Sequence, residues 1–157
     1  MTPAISELED AGFEYELLHY NHDPSVGSYG GEAVSKLGLN EKSVFKTLMS
    51  ELNTGEFVVC LIPVSSSLNL KAVAKAAGAK RASMADGKVV ERRTGYVLGG
   101  ISPFGQSRRH RTFVEKLALS MNSIYVSAGK RGLEICVVPQ AFAALLDASF
   151  VTLTNYD

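Results

Sequence analysis

Apolar residues recur along this chain with two periods, and the places where the period changes mark its elements. Near the start Ile5, Leu8 and Ala11 share one helical face behind Thr2, a cap residue, and Pro3 at the first helical position; Gly12 stops the run. Residues 13–20 then predict a strand, and residues 21–27, with Asp23-Pro24 and a glycine, a loop. Ser28 caps a short predicted helix carrying Ala33, Val34 and Leu37 and closed by Gly38. From Lys42 the pattern becomes a strand that pairs with residues 56–62 across Asn53-Thr54-Gly55, a hairpin loop with glycine at the left-handed position. Residues 57–62 are apolar without alternation, as in a strand covered on both faces.

Asn69 caps the clearest helix, with Leu70, Val73, Ala74 and Ala77 on one face and Gly78 after it. A short strand at residues 81–84 leads to Asp86, the cap of a helix through Arg93. Residues 106–110 read as a polar basic loop, 112–114 as a strand and 116–121 as a helical turn. A second hairpin is predicted from residues 123–128 and 133–138 around GKRG at 129–132, and Pro139 opens a last helix with Phe142, Leu145 and Leu146 on its buried side. Strands and helices interleave while both hairpins are antiparallel. The expected fold is therefore an α/β protein of the α+β type: a single domain over residues 1–157, with a mixed, mostly antiparallel β-sheet and flanking helices.

A chain of 157 residues with 46% apolar and 20% charged residues suits one globular domain. It contains no apolar run of membrane-spanning length and no basic-then-apolar leader, so a cytoplasmic protein without a membrane partner is expected. Cys60 and Cys136 lie in apolar β-like runs and read as small buried hydrophobes. The zero net charge hides an asymmetry. Residues 1–41 hold eight acids against Lys36, while residues 71–131 hold thirteen Lys or Arg against Asp86, Glu91 and Glu115. The densest points are Arg92-Arg93, Arg108-Arg109 with Arg111, and Lys130-Arg131. They form either a face for nucleic acid or a solvated surface paired with the acidic third.

Two stretches carry candidate chemistry. GYVLGGISPFG at residues 95–105 has four glycines and a proline in an apolar run, which suits close approach of a ligand to the backbone as well as a tight turn. In the strand over residues 44–48, Lys46 interrupts largely apolar faces, so it must meet a carboxylate or a polar cavity. The glycine segment and Lys46 are expected to wall the same cavity. His22 reads as a surface or rim histidine rather than, with His19, a metal ligand. GKRG lacks the other parts of a phosphate loop, and no dinucleotide fingerprint, HExxH, CxxC pair or GxSxG occurs. Neither a metal nor a cofactor is expected, and an enzyme built this way would act by positioning a reactive substrate.

VFKTL at residues 44–48, GYVLGGISPFG, and IYVSAGKRGLEI at residues 124–135 resemble the YbaK/EbsC family nearly end to end. They are most similar to its stand-alone members that remove cysteine from tRNA specific for proline. The resemblance implies a mixed sheet with flanking helices and a pocket for the aminoacyl 3′ end of a tRNA. It implies that Lys46 is catalytic and that Tyr20, Tyr29, Thr47, Gly99, Gly100, Ile101, Ser102, Ser127 and Glu134 bind substrate. In this reading Gly100 and Ile101 offer main-chain groups to the α-amine or carbonyl, and Arg108, Arg109, Arg111, Lys130 and Arg131 meet the tRNA. The implied activity is deacylation of Cys-tRNA(Pro), with the substrate thiol attacking its own ester and prolyl-tRNA synthetase as a possible docking partner. Removal of alanine or another small residue, or a non-catalytic tRNA- or synthetase-binding role, are the alternatives. Two residues depart from the family pattern. Ala128 replaces a usual glycine, adding a methyl group expected to narrow the pocket or stiffen the loop, and Glu134 replaces a common aspartate, lengthening its reach by one methylene.

Overall fold

The computed structural model describes residues 1–155. Its elements are α1 (Pro3–Asp10), β1 (Glu16–His19), α2 (Tyr29–Leu37), β2 (Phe45–Leu52), β3 (Phe57–Pro63), α3 (Leu70–Ala77), β4 (Ala82–Met84) and α4 (Gly87–Thr94). There follow β5 (Thr112–Glu115), a 3₁₀ turn (Lys116–Ser120), β6 (Ile124–Lys130), β7 (Leu133–Val137), α5 (Gln140–Leu146) and β8 (Ser149–Val151). The predicted caps are in place: side-chain oxygens of Thr2, Ser28, Asn69 and Asp86 each accept a backbone amide of the following helix. In α1 the buried residues are Ala4, Ile5 and Leu8; Ala11 is exposed because the helix has already ended there.

Instead of one mixed sheet the strands make two. An antiparallel sheet has the order β1-β7-β6, and a five-stranded sheet has the order β4-β2-β3-β5-β8. In the second, β3-β5 and β5-β8 are parallel and the other pairs antiparallel. Among the described residues a single parallel bridge, Val44 to Tyr125, links the two sheets. β8 has three residues, too few for a period-two pattern, and the sequence reading missed it. β1 is half the predicted span and, among the described residues, pairs only with β7, at the edge of its sheet.

β3 explains its own unbroken apolar run, for its alternating side chains feed two cores. Val59 and Leu61 join Phe45, Met49, Val126, Ile135 and Phe142, while Val58, Cys60 and Ile62 join Leu52, Val73 and Phe113. β2 divides in the same way, Phe45 and Met49 serving the first core, Leu48 and Leu52 the second. Unlike β3, β2 is not flanked by strands throughout. β3 pairs along Phe45–Glu51, but β4 joins the opposite edge only at Ser50. Between the Val44 bridge and Ser50 that edge of β2 has no strand partner among the described residues.

Candidate functional site

A cavity of about 400 Å³ fills the place left by the missing partner of β2. One wall is the start of β2, residues 44–48; another is Ser127 and Glu134, directly opposite each other across the β6-β7 ladder. Leu98, Gly99 and Ile101 of the glycine segment close a third side, and Gly27, Ser28, Tyr29 and Gly30 form the mouth. Lys46 and the glycine segment thus line one cavity, as the sequence led one to expect.

Three polar groups here have no partner among the described residues. Glu134 is 7% exposed, and its Oε2 and the buried Oγ1 of Thr47 have no hydrogen bond. Lys46 is half-buried and forms no hydrogen bond or ion pair among the described residues. Burial pushes the Glu134 carboxyl up to about 8, so it is mostly protonated at neutral pH, and burial pulls the Lys46 ammonium below its ordinary value. Although opposite in charge when ionised, the two are not paired. Buried polar groups are normally satisfied, and three unsatisfied ones around one cavity mark a place where a ligand completes the bonding. Val44, Phe45, Leu48, Leu98 and Ile101 give the cavity its apolar part.

The glycines work by close approach, but not all face the cavity. Gly99 has φ +87°, and a Cβ there would lie 2.6 Å from the Tyr29 ring, so only glycine lets Tyr29 close the mouth. Gly100 instead packs on the backbone of Lys130 and Arg131, and its amide donates to Val97 O at 2.9 Å. That amide is therefore not free for substrate, contrary to expectation. Ser102 is fully buried, its Oγ accepting from the Phe104 amide, and does not line the cavity. Tyr20 also lies off the lining, its amide donating to Gly132 O at 3.0 Å; burial and then the Glu134 carboxylate raise its phenol pKa. Ala128 faces the first core, since strand alternation turns Ser127 to the cavity and Ala128 away from it. Its methyl therefore cannot narrow the cavity.

Sequence reasoning missed what holds the mouth. Glu32 of α2 is buried and accepts from His22 Nδ1 at 2.7 Å, the Asp23 amide at 2.6 Å and Lys36 Nζ at 2.9 Å. Lys36 also donates to Asn21 O. These bonds tie residues 21–23 to α2. Burial alone would raise the Glu32 pKa, but the His22, Asp23 and Lys36 hydrogen bonds outweigh it and hold the carboxyl at about 2. The Glu32 to Lys36 spacing was the available signal. Leu98, exposed just before Gly99, also lines the cavity and was not singled out in the sequence.

The five predicted RNA-facing cations separate into two places. Arg131 is at the mouth: its Nε donates to Leu98 O at 2.8 Å and its guanidinium lies 5.1 Å from the Tyr29 ring centre, with exposed Lys130 beside it. Arg108, Arg109 and Arg111 are not in the cavity lining. Arg111 is engaged by Glu56 through two bonds of 2.8 and 2.7 Å and by Ala77 O, a bidentate pair that occupies much of its fork. Among the described residues no group of three or more His, Cys, Asp or Glu could hold a metal ion.

A small half-enclosed cavity with an unpaired lysine, a neutral acid and an apolar floor is suited to a small, polar-headed ester more than to a macromolecular surface. The family follows from comparison with known proteins: residues 23–145 match the aminoacyl-tRNA editing domain, and the chain belongs to that family, whose members are aminoacyl-tRNA deacylases. It is 39% identical over 155 residues, 98% of this chain and 93% of the relative, to the "Putative Cys-tRNA(Pro)/Cys-tRNA(Cys) deacylase EbsC" of Enterococcus faecalis. Two solved structures share the fold. One, a hypothetical protein, is 22% identical with a TM-score of 0.86, covering 98% of this chain and 100% of its own. The other, described as a "putative trans-editing enzyme for prolyl tRNA synthetase", is 19% identical with a TM-score of 0.81, covering 99% of each chain.

Proposed function

We propose that this protein removes cysteine from mischarged Cys-tRNA(Pro), acting in trans. The observation that carries the reading is the unsatisfied trio of Lys46, Thr47 and Glu134 in a cavity sized for an amino-acid ester. Glu134 receives the substrate α-ammonium, whose charge draws the carboxyl pKa back down, so binding below about pH 8 releases a proton. Lys46 offsets the negative charge that develops on the ester carbonyl oxygen. Thr47 Oγ1 is available to the ribose or the carbonyl, while Tyr29, held by Gly99, closes over the ester. Tyr20 and Gly100 support the walls, and Ile101 contributes its apolar side chain.

With no marked nucleophile in the protein, the substrate supplies one. The cysteine sulfur bonds to the ester carbonyl carbon, the bond from that carbon to the ribose oxygen breaks, and the thiol proton ends on the ribose hydroxyl. Water then opens the resulting four-membered thioester. The protein's contribution is to hold the ester where the sulfur can reach it. Lys130 and Arg131 at the mouth meet phosphates near the tRNA end, and tRNA identity comes from docking on prolyl-tRNA synthetase.

The test is single-turnover deacylation of tRNA(Pro) carrying cysteine, serine, alanine or proline. Cysteine should be cleared at least roughly tenfold faster than its near-isostere serine, because the thiolate is the better nucleophile near neutral pH. Equal rates for the two would point to direct attack by water, and faster clearance of alanine would make it the substrate. No turnover of any would leave only a binding module.

A further inference from the structure

A second concave surface, sharing no lining residue with the cavity, runs along the segment that follows the glycine run. It has two adjoining chambers of about 580 and 270 Å³, which have Arg109, His110, Thr112 and Leu146 in common. In the larger chamber Arg93 is held from two sides. Its guanidinium lies 4.5 Å from the Phe57 ring centre, and its Nε donates to His110 Nε2 at 3.2 Å. That bond makes His110 Nε2 the acceptor, so Nδ1 carries the proton and donates to Gln106 Oε1 at 3.0 Å; Gln106 Nε2 in turn donates to Ser102 O. Burial, Arg93 and Arg108 together hold the His110 pKa below its ordinary value, so the ring is a neutral strut.

The strut leaves the terminal amino groups of Arg93 without a partner among the described residues. Arg108 and Arg109 line the same groove, exposed and with neither hydrogen bond nor ion pair among the described residues. The groove does contain acids. Glu56 is consumed by Arg111, Glu7 accepts from the Gly105 amide at 3.4 Å, and Asp147 lies at the far wall. Three arginines remain uncommitted, one of them pre-oriented, and guanidinium forks match phosphate oxygens better than any other side chain. The two-chambered length suits a run of backbone more than a single small anion.

We infer that this groove, centred on Arg93, Arg108 and Arg109, binds the phosphate backbone of the RNA at a place separate from the cavity that takes its aminoacyl end. The inference rests on the deacylase reading above for the identity of the RNA. It also separates the basic residues into an end-binding pair, Lys130 and Arg131, and a backbone-binding trio. Arg93 enters that trio in place of Arg111.

The experiment compares wild type with the double variant Arg108→Gln/Arg109→Gln, both checked for equal melting temperature. Each is measured for tRNA(Pro) affinity between 0.05 and 0.5 M salt, and for hydrolysis of cysteinyl-tRNA(Pro) and of a cysteinyl ester of adenosine, which fits only the cavity. Loss of two phosphate contacts should reduce the slope of log affinity against log salt by roughly 1.4 to 1.8, and weaken binding at 0.1 M salt roughly 25- to 60-fold. Turnover of the small ester should be unchanged. Unaltered tRNA affinity and slope would overturn the inference, as would an equal loss on the small ester. Failure of wild type to cleave either substrate, with the groove still governing tRNA affinity, would refute the deacylase reading and leave this one standing.

Discussion

Glu134→Gln is expected to gain stability relative to wild type as pH rises toward neutrality while impairing the protein as an enzyme, and the pH dependence of the first effect is the sharper test. The carboxyl is buried without a partner for Oε2, and its pKa is pushed from 4.5 to about 8. A raised carboxyl pKa means that the native state holds the proton more tightly than the unfolded state. Stability is therefore unaffected below about pH 4.5, falls as pH rises toward 8, and levels off above it. At pH 7 the gap of 2.5 pH units above 4.5 corresponds to about 3 kcal/mol at 1.36 kcal/mol per unit, an upper figure because water can enter the cavity. Glutamine does not titrate, so the variant avoids this loss. Its extra N–H group can cost about 1–3 kcal/mol if unpaired, but that penalty does not depend on pH. The variant's advantage in melting temperature should thus grow by roughly 5–10 °C between pH 4.5 and pH 7. Thermal melts of both proteins across that range measure it. A difference that stays flat with pH would show that Glu134 titrates normally and is not the buried neutral acid described above.

The other expectations concern neighbouring groups. Lys46→Met should melt at or slightly above the wild-type temperature, since Lys46 has no ion-pair partner among the described residues, while single-turnover deacylation falls about 10²- to 10³-fold. Lys46→Arg should rescue poorly, and early melting with normal activity per folded molecule would make Lys46 structural. Gly99→Ala should cost about 1–3 kcal/mol and raise KM, because both its φ of +87° and the Tyr29 ring oppose a Cβ; unchanged KM would remove Tyr29 from the site. Ala128→Gly should lower stability without altering the ratio of cysteine to alanine clearance, and a changed ratio would contradict its placement in the core.

Much of this protein was legible from local pattern. Helix starts at Thr2, Ser28, Asn69 and Asp86 follow from capping chemistry confined to four or five residues, and glycines at 38, 55 and 78 mark positive φ that other residues resist. The shared cavity of Lys46 and the glycine segment was also foreseeable, because a lone cation in an apolar strand and a Gly-Gly pair each need a special environment. Tertiary structure decided what depends on pairing between distant strands. Whether the β2 edge is covered depends on where β4 begins, which no residue near Lys46 encodes. That the strands form two sheets, with Glu134 opposite Ser127 and Ala128 turned to the core, follows from register and the bulge after Ser127. The basic residues show the limit most plainly: five cations looked alike in sequence, yet Arg111 is bound to Glu56, 55 positions away, and Arg131 to Leu98 O, 33 positions away. Charge is a property of a residue, but its availability is a property of what the fold brings beside it.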